Sequence, residues 1–445
     1  MFDDLVSAIE GLRPVMRADL EELVRIDSVS AAGFDPAPVR RCAVASAAQL
    51  EAAGLRGVRL LEVDGAHPAV YGEIARPVAG APTVLLYAHY DVQPSGPEEL
   101  WDTHPFDPVE AEGRLYGRGT ADDKSGIIIH TGTVRAYGGR PPVGVKVLLE
   151  GEEEIGSVHL DQFLAAHRDL LAADAIVVAD AGNWDVGVPA LTTSLRGLID
   201  CVIEVRTLEA GVHSGMWGGV FPDALSVLVR ALAALHDDEG RVAVPGLARG
   251  GRPPVELDER SARQHAGVLA GVHAIGRGSI TERLWLGPAV SILAIDAPPV
   301  AEPINQLVPV ARAKVSLRLA PGDDPDRAMD ALLAHLKAAV PWGAVVELLP
   351  GTTAHPVSLD STGPSYDAFR AGFRAAYGID PVDKGVGGSI PFVQAFSDAY
   401  PGADLLLTGA SDPASYIHGP NESLDLGELH RSTLAEAVAL REMAG

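Results

Sequence analysis

Between residues 80 and 180 the chain sets short, almost purely aliphatic runs between longer stretches whose apolar residues recur every three or four positions. The runs are Pro82–Tyr87 (PTVLLY), Val143–Leu149 (VGVKVLL) and Ala175–Ala179 (AIVVA). Near-continuous aliphatic runs of this length suit strands buried on both faces. The intervening stretches, Ser125–Ala136 and Val158–Leu171, carry helical spacing, as does the amphipathic start of the chain, MFDDLVSAIEGLRPVMRADLEELV. Alternation of this kind predicts an α/β fold with a largely parallel or mixed sheet.

The pattern then changes. Leu195–Arg206 reads as a strand, Asp223–His236 as a helix, and Ala289–Asp296 and Ala311–Leu319 as strands. A helix at Asp326–Val340 and a strand at Ala344–Leu349 follow. The order β-α-β-β-α-β is that of a ferredoxin-like α+β unit; its excursion at about 238–288 carries no clear period. After residue 350 the α/β style returns, with a helix near 365–378, a strand at Asp404–Leu407 and a last helix from about 426. The chain therefore reads as a mixed-sheet α/β domain formed by 1–188 and 351–445, interrupted by a smaller domain at 189–350. A length of 445 residues suits two cores rather than one.

Composition narrows the function. A net charge of −25 argues against nucleic acid and anionic membranes, which both reward basic surfaces. No apolar window approaches the length of a bilayer span. The N-terminus carries early acids where a secretory signal has basic residues, so the cytoplasm is the expected location. Cys42 and Cys201 are too few for a disulfide framework or a thiolate metal site. Any metal must then be held by His, Asp and Glu.

Those residues collect where the strands end. PTVLLY leads to His89 and Asp91, placed just past its end; VGVKVLL leads into EGEEEIGS (150–157); AIVVA ends at Asp180. Ligands of open α/β sheets bind beyond the carboxyl ends of strands, and here three in succession carry metal-capable side chains. His89 and Asp91, two apart in extended chain, share a direction, so Asp91 is expected to accept from the imidazole nitrogen that faces away from a metal. The segment GRGTADDK (117–124) opens a helix without phosphate-loop spacing. Its adjacent acids, Asp122 and Asp123, favour a cation for one of them, and spacing leaves open which. Glu152, Glu153 and Glu154 would raise one another's proton affinity in a low-dielectric turn unless a dication compensates.

The set HYD (89–91), GRGTADDK, EGEEEIGS, VADAGN (178–183), GVHSGMWGG (211–219), GGSIP (387–391) and IHGPNE (417–422) resembles the M20 metallopeptidases. The likeness is strongest to their carnosinase-like and cytosolic non-specific dipeptidase branch, in the right order over nearly the whole chain. The resemblance implies a zinc-peptidase catalytic domain with an inserted ferredoxin-like lid and dimerisation domain. It also implies two divalent ions per subunit, Zn2+ by preference with Mn2+ or Co2+ also possible. His89 and Asp180 then complete one ion, Glu154 and His418 the other, and Asp122 bridges them, with a cis peptide often following it. Glu153 is the implied general base and Asp91 the orienting partner of His89; Glu152 is an extra acid. Two dications with Asp122, Asp180 and Glu154 leave a net charge of +1, and a shared hydroxide brings it to zero, as a buried site requires. On the same resemblance, Glu153 would take a proton from water acidified by the ions, the water oxygen would attack the amide carbonyl, and Glu153 would pass that proton to the leaving amine.

By the same resemblance, His213 reaches the active site of the other subunit of a homodimer and stabilises the oxyanion, and Arg318 clamps the substrate carboxylate. Asn305 and the turn Gly387-Gly388-Ser389, with its backbone N–H groups and hydroxyl, are further substrate-binding candidates. Ser125 stands where relatives commonly have Gly. The implied reaction is hydrolysis of dipeptides or similar small amides bearing a free carboxylate. The rivals are an N-acyl or N-carbamoyl amino-acid amidohydrolase and, in another class, a non-catalytic metal-binding assembly subunit.

Overall fold

The computed structural model describes residues 2–388 and 391–445. In chain order it contains helices α1 (Asp3–Val24) and α2 (Ala37–Ala53), strands β1 (Arg56–Leu61), β2 (Ala69–Ile74) and β3 (Thr83–His89), and helix α3 (Lys124–Ala136). Strands β4 (Gly144–Glu150), β5 (Ala175–Val178), β6 (Ala190–Leu195) and β7 (Gly197–Arg206) follow, then helix α4 (Ala224–Ala233) and strands β8 (Ala289–Asp296) and β9 (Val310–Leu319). Helix α5 (Pro325–Ala339), strand β10 (Val345–Ala354), helix α6 (Pro364–Tyr377), strand β11 (Asp404–Leu407) and helix α7 (Leu426–Met443) complete the chain. These elements form two compact units, Met1–Thr193 with Leu359–Lys384 and Ile390–Gly445, and Ser194–Ser358 with Gly385–Ser389. The changeovers lie a few residues beyond the expected 189 and 350.

The first unit is built on a mixed sheet of order β1-β2-β4-β3-β5-β11-β6. Strand β3 runs parallel to β4 and β5, and β11 parallel to β5, whereas β1, β2 and β4 pair antiparallel. The aliphatic runs explain the placement: Val84, Leu86, Val145, Val147, Ala175 and Val177 are wholly buried and share one core with side chains of α1, α2, α3, α6 and α7. Two differences from the sequence reading have local causes. Strand β3 continues to His89, because its register against β4 runs on to pair His89 with Glu150. The expected helix Val158–Leu171 is two pieces, Leu160–Ala166 and Arg168–Leu171, interrupted at His167, whose φ of −121° leaves the helical basin.

The second unit is a four-stranded antiparallel sheet of order β8-β9-β7-β10 with α4 and α5 packed on it. Numbered by their order within the unit, the strands lie 4-1-3-2, so the β-α-β-β-α-β reading of this region is the observed topology. Within the excursion after α4, the chain forms a short helix at Glu259–His265 and a π-turn at Glu282–Leu286. Among the described residues no helix is long and apolar enough to cross a membrane.

Candidate metal centre

Strands β4, β3 and β5 are adjacent and parallel, so their carboxyl ends share one edge of the sheet. His89 is the last residue of β3, Glu153 and Glu154 start a 3-10 turn (Glu153–Ile155) just after β4, and Asp180 stands two residues past β5. The segment preceding α3 brings Asp122, whose peptide bond to Asp123 is cis. His418 comes from a loop in which Tyr416, His418 and Asn421 all have φ between 49° and 64°, a conformation side chains adopt at a cost.

Asp122 spans the site. Its Oδ1 lies 3.0 Å from Nε2 of His89 and its Oδ2 3.0 Å from Nε2 of His418. His418 Nε2 is also 3.0 Å from Glu154 Oε2. His89 Nε2 is 3.9 Å from both Glu153 Oε2 and Asp180 Oδ1. Two trios have ligand atoms within 4.8 Å of one another: Asp122 with Glu154 and His418, and Asp123 with His89 and Asp180. The second contains Asp123, which the adjacent-acid pattern left open as a cation partner and the resemblance passed over in favour of Asp122. Asp123 is buried, its Oδ2 accepts from the main-chain N–H of His89 at 3.3 Å, and its Oδ1 has no hydrogen-bond partner.

The electrostatics show what this donor set lacks. Burial alone would strip His89 of its proton, but hydrogen bonds to Asp122 and Asp91 hold its pKa well above the usual imidazole value. Hydrogen bonds to Asp122 and Glu154 raise His418 to about 10. Asp122 is pulled below the ordinary range, its burial outweighed by the two imidazoles. Glu153, Asp180 and Asp123 are pushed well up, first by burial and then, for Glu153, by Asp180 and, for the other two, by Asp122. Each shift has the direction expected of carboxylates crowded around two imidazoles in a buried space. Imidazole and carboxylate donors that converge with excess negative charge, one buried oxygen orphaned, fit divalent cations.

Around these groups lies an outer ring. Nδ1 of His89 donates to the main-chain carbonyl of Asp91 at 3.1 Å, with Oδ1 of Asp91 at 3.4 Å. The carboxylate expected to accept from the imidazole is chiefly taken by other donors: Ser30 Oγ at 2.7 Å and the N–H groups of Glu153 and Glu154 at 3.2 and 3.1 Å. Asp91 thus fixes the Glu153–Glu154 turn as much as the ring. Gln93 clamps Glu154, its main-chain N–H reaching Oε1 at 3.0 Å and its amide reaching Oε2 at 2.9 Å. Glu152 turns away, accepting from His159 Nδ1 at 2.7 Å and the His67 N–H at 2.8 Å. Glu150, buried on β4 and bonded by Tyr87 Oη at 2.6 Å, is pushed up by that burial to about 7. Ser125 Oγ donates to the Ala121 carbonyl at 3.1 Å and disturbs nothing. Sequence reasoning missed Gln93 and Glu150, which lie within four residues of His89 and Glu154; it named Asp123 beside Asp122 without dividing their roles.

The remaining candidates belong to the second unit. His213 is exposed, and its Nδ1 accepts from Gly215 N–H at 3.0 Å. It pairs with Gln306, and Asn305 accepts from Ser214 N–H at 3.1 Å, so His213 and Asn305 are neighbours. Arg318 is half-buried on β9 and close enough to Arg196 to lower the latter's pKa, after burial, to about 10. Gly388 lies in the turn after Gly387, whose carbonyl accepts from Arg196 Nε at 3.0 Å. Ser389 lies outside the described residues.

Comparison with known proteins adds to this geometry. Residues 85–441 match Peptidase family M20/M25/M40. The chain is 36% identical over 402 residues to the cysteinylglycine-S-conjugate dipeptidase of Corynebacterium striatum, covering 88% of each chain. It is 30% identical over 369 residues to the beta-Ala-His dipeptidase of Rattus norvegicus, covering 77% of this chain and 73% of that one. Its fold is similar to that of human carnosine dipeptidase 1, with a TM-score of 0.83 at 24% identity over 99% of this chain and 98% of the other.

Proposed function

The chain belongs to Peptidase family M20/M25/M40, and from that premise we propose that it hydrolyses the amide bond of dipeptides and similar small substrates bearing a free carboxylate. The observation that carries this reading is Asp122, one carboxylate with each oxygen 3.0 Å from a different imidazole, beside a second acid that can act as base. His89, Asp122 and Asp180 would hold one dication and Asp122, Glu154 and His418 the other. An imidazole–carboxylate set suits zinc and accommodates manganese or cobalt. The bound ions supply Lewis acidity at the amide carbonyl and acidify water.

The chain's own groups do the rest. Glu153 takes the water's proton and returns it to the leaving amine, and its raised proton affinity, set by burial and by Asp180, suits a base that must hold that proton between steps. Asp91 and Gln93 keep Glu153 and Glu154 on opposite tasks by fastening the turn from which both project. Arg318, Asn305, Gly388 and Ser389 would receive the substrate carboxylate; a guanidinium fork matches that group. His213 would stabilise the oxyanion across a homodimer, each subunit serving the other. The exposed Met216, Trp217, Val220 and Phe221 that follow it support an association surface, since contiguous apolar patches are rarely left to water. Cys42 and Cys201, both buried and free, agree with a cytoplasmic setting.

The test is turnover of free and N-blocked dipeptides by metal-stripped protein with Zn2+, Mn2+ or Co2+ restored. Dication-dependent cleavage of the free dipeptides is expected. Cleavage confined to N-acyl or N-carbamoyl amino acids would replace dipeptidase with amidohydrolase, and none with any dication would sink the reading.

A further inference from the structure

We propose that Glu422, an acid outside both trios, is the positioning residue that sets Asp122 and, through Arg118, the His418 loop; this rests on the metal-centre reading above. Glu422 is wholly buried. Its Oε1 accepts from the N–H groups of Ala121 and Asp122 at 3.0 and 3.1 Å, and its Oε2 from the Gly119 N–H at 3.0 Å and from Arg118 Nη1 at 2.6 Å. A carboxylate offers about four lone-pair sites, and four donors occupy them. Although Glu422 follows His418 by four residues and touches Asp122, it has no lone pair left for a cation. It is an amide cradle.

The cradle solves a local problem. Residues 119–122 approach α3 without regular pairing, and buried N–H groups left there without acceptors would be costly. One anion satisfies three of them and fixes the path of the loop. The loop has little slack elsewhere: Gly119 has φ +82°, and a Cβ there would stand 2.6 Å from Val92 Cγ1. Arg118 extends the hold, since its Nη2 donates to the Gly419 carbonyl at 3.2 Å, the residue after His418, and to the Pro94 carbonyl at 3.4 Å. A single ion pair therefore ties together the main chains that carry Asp122 and His418. Ligand sites need their donors held to within about half an ångström, and this pair supplies the restraint for two of them.

The experiment is calorimetric titration of Zn2+ or Mn2+ into metal-stripped protein, comparing wild type, Glu422→Gln and Glu436→Gln. Glu436 is a buried acid of the same unit bonded to His130 Nδ1 at 2.9 Å, and it controls for a general loss of stability. Glu422→Gln is expected to fold, by circular dichroism, and to bind the dications about 10- to 100-fold more weakly, with kcat reduced and KM little changed. Glu436→Gln is expected to lower Tm and leave metal affinity alone. Wild-type affinity in folded Glu422→Gln, or equal weakening in Glu436→Gln, overturns the proposal. Should Glu422→Gln not fold, Glu422→Asp, which keeps the charge but is too short to serve both ends of the loop, decides by the same readout. A wild-type protein that binds no dication would bring down the metal-centre reading, and this inference with it.

Discussion

Strands β3 and β8 are alike on paper, TVLLYAH and AVSILAID, yet six of the seven residues of β3 are buried while six of the eight of β8 are exposed. In the first unit an aliphatic strand lies between two neighbours with side chains packed into the helix-lined core, and its end presents His89. In the second unit a strand of similar composition lies at the sheet edge with Ile292, Leu293 and Ile295 open to solvent. An exposed apolar edge invites a partner strand or a covering surface. The same hydrophobic pattern thus builds a rigid platform for chemistry in one place and a surface suited to association in the other.

The contrast can be broken or sharpened experimentally. The largest effect is expected at the end of the buried platform: Glu153→Gln should lower kcat by about 10²- to 10⁴-fold while metal content, measured by elemental analysis, stays at the wild-type level. A variant of undiminished turnover would remove Glu153 from the reaction. Next, Leu86→Ala within β3 should cost about 2–5 kcal/mol of stability in urea unfolding, because a wholly buried side chain leaves a cavity. A loss below 1 kcal/mol would mean that the platform is looser than its packing implies.

The pH dependence comes third. His89 and His418 hold their protons well above the ordinary imidazole value, His418 up to about 10, and dications bind neutral imidazole. Metal binding near pH 7 must therefore expel protons, so affinity should rise with pH by about tenfold per unit for each proton displaced, the contribution of His418 levelling off near 10. Calorimetry in buffers of different ionisation enthalpy measures the proton count, and a count of zero would contradict the charge state of the site. The smallest change in stability is expected at the exposed edge. Leu293→Lys should alter it by no more than about 0.5 kcal/mol; on the homodimer proposal it should also shift sedimentation toward the monomer, and a wild-type monomer or an unshifted dimer would overturn the assignment of this edge to association.

Much of this architecture is legible in the chain. The aliphatic runs of β3, β4 and β5 announce buried strands because nothing polar interrupts them. The β-α-β-β-α-β order of the second unit is legible because the excursion at about 238–288 falls between its first helix and second strand and leaves the order of the elements on either side intact. The antiparallel strands β1 and β2 are hidden, since β1 is short and charged and β2 carries Gly72, whose missing side chain lets Val58 approach to 3.1 Å of the Cβ position. Among the acids, sequence position marks the clusters but not their division. Glu152, Glu153 and Glu154 are consecutive, yet one turns to His159 and one to His418 while Glu153 stays beside His89.

The amino-acid sequence alone determined which strands would be buried, that their ends would carry imidazoles and carboxylates, and that two cysteines were too few for a thiolate metal site, because these follow from residue type and short-range period. Only the tertiary structure decided that Asp122 would face two histidines at once, that Asp91 would spend its carboxylate on the Glu153–Glu154 turn, and that Glu422 would bind main-chain amides three hundred residues away. Those outcomes depend on hydrogen-bond directions across segments far apart in the chain. A carboxylate's role is set by the donors that reach it, and no local pattern of residues records them.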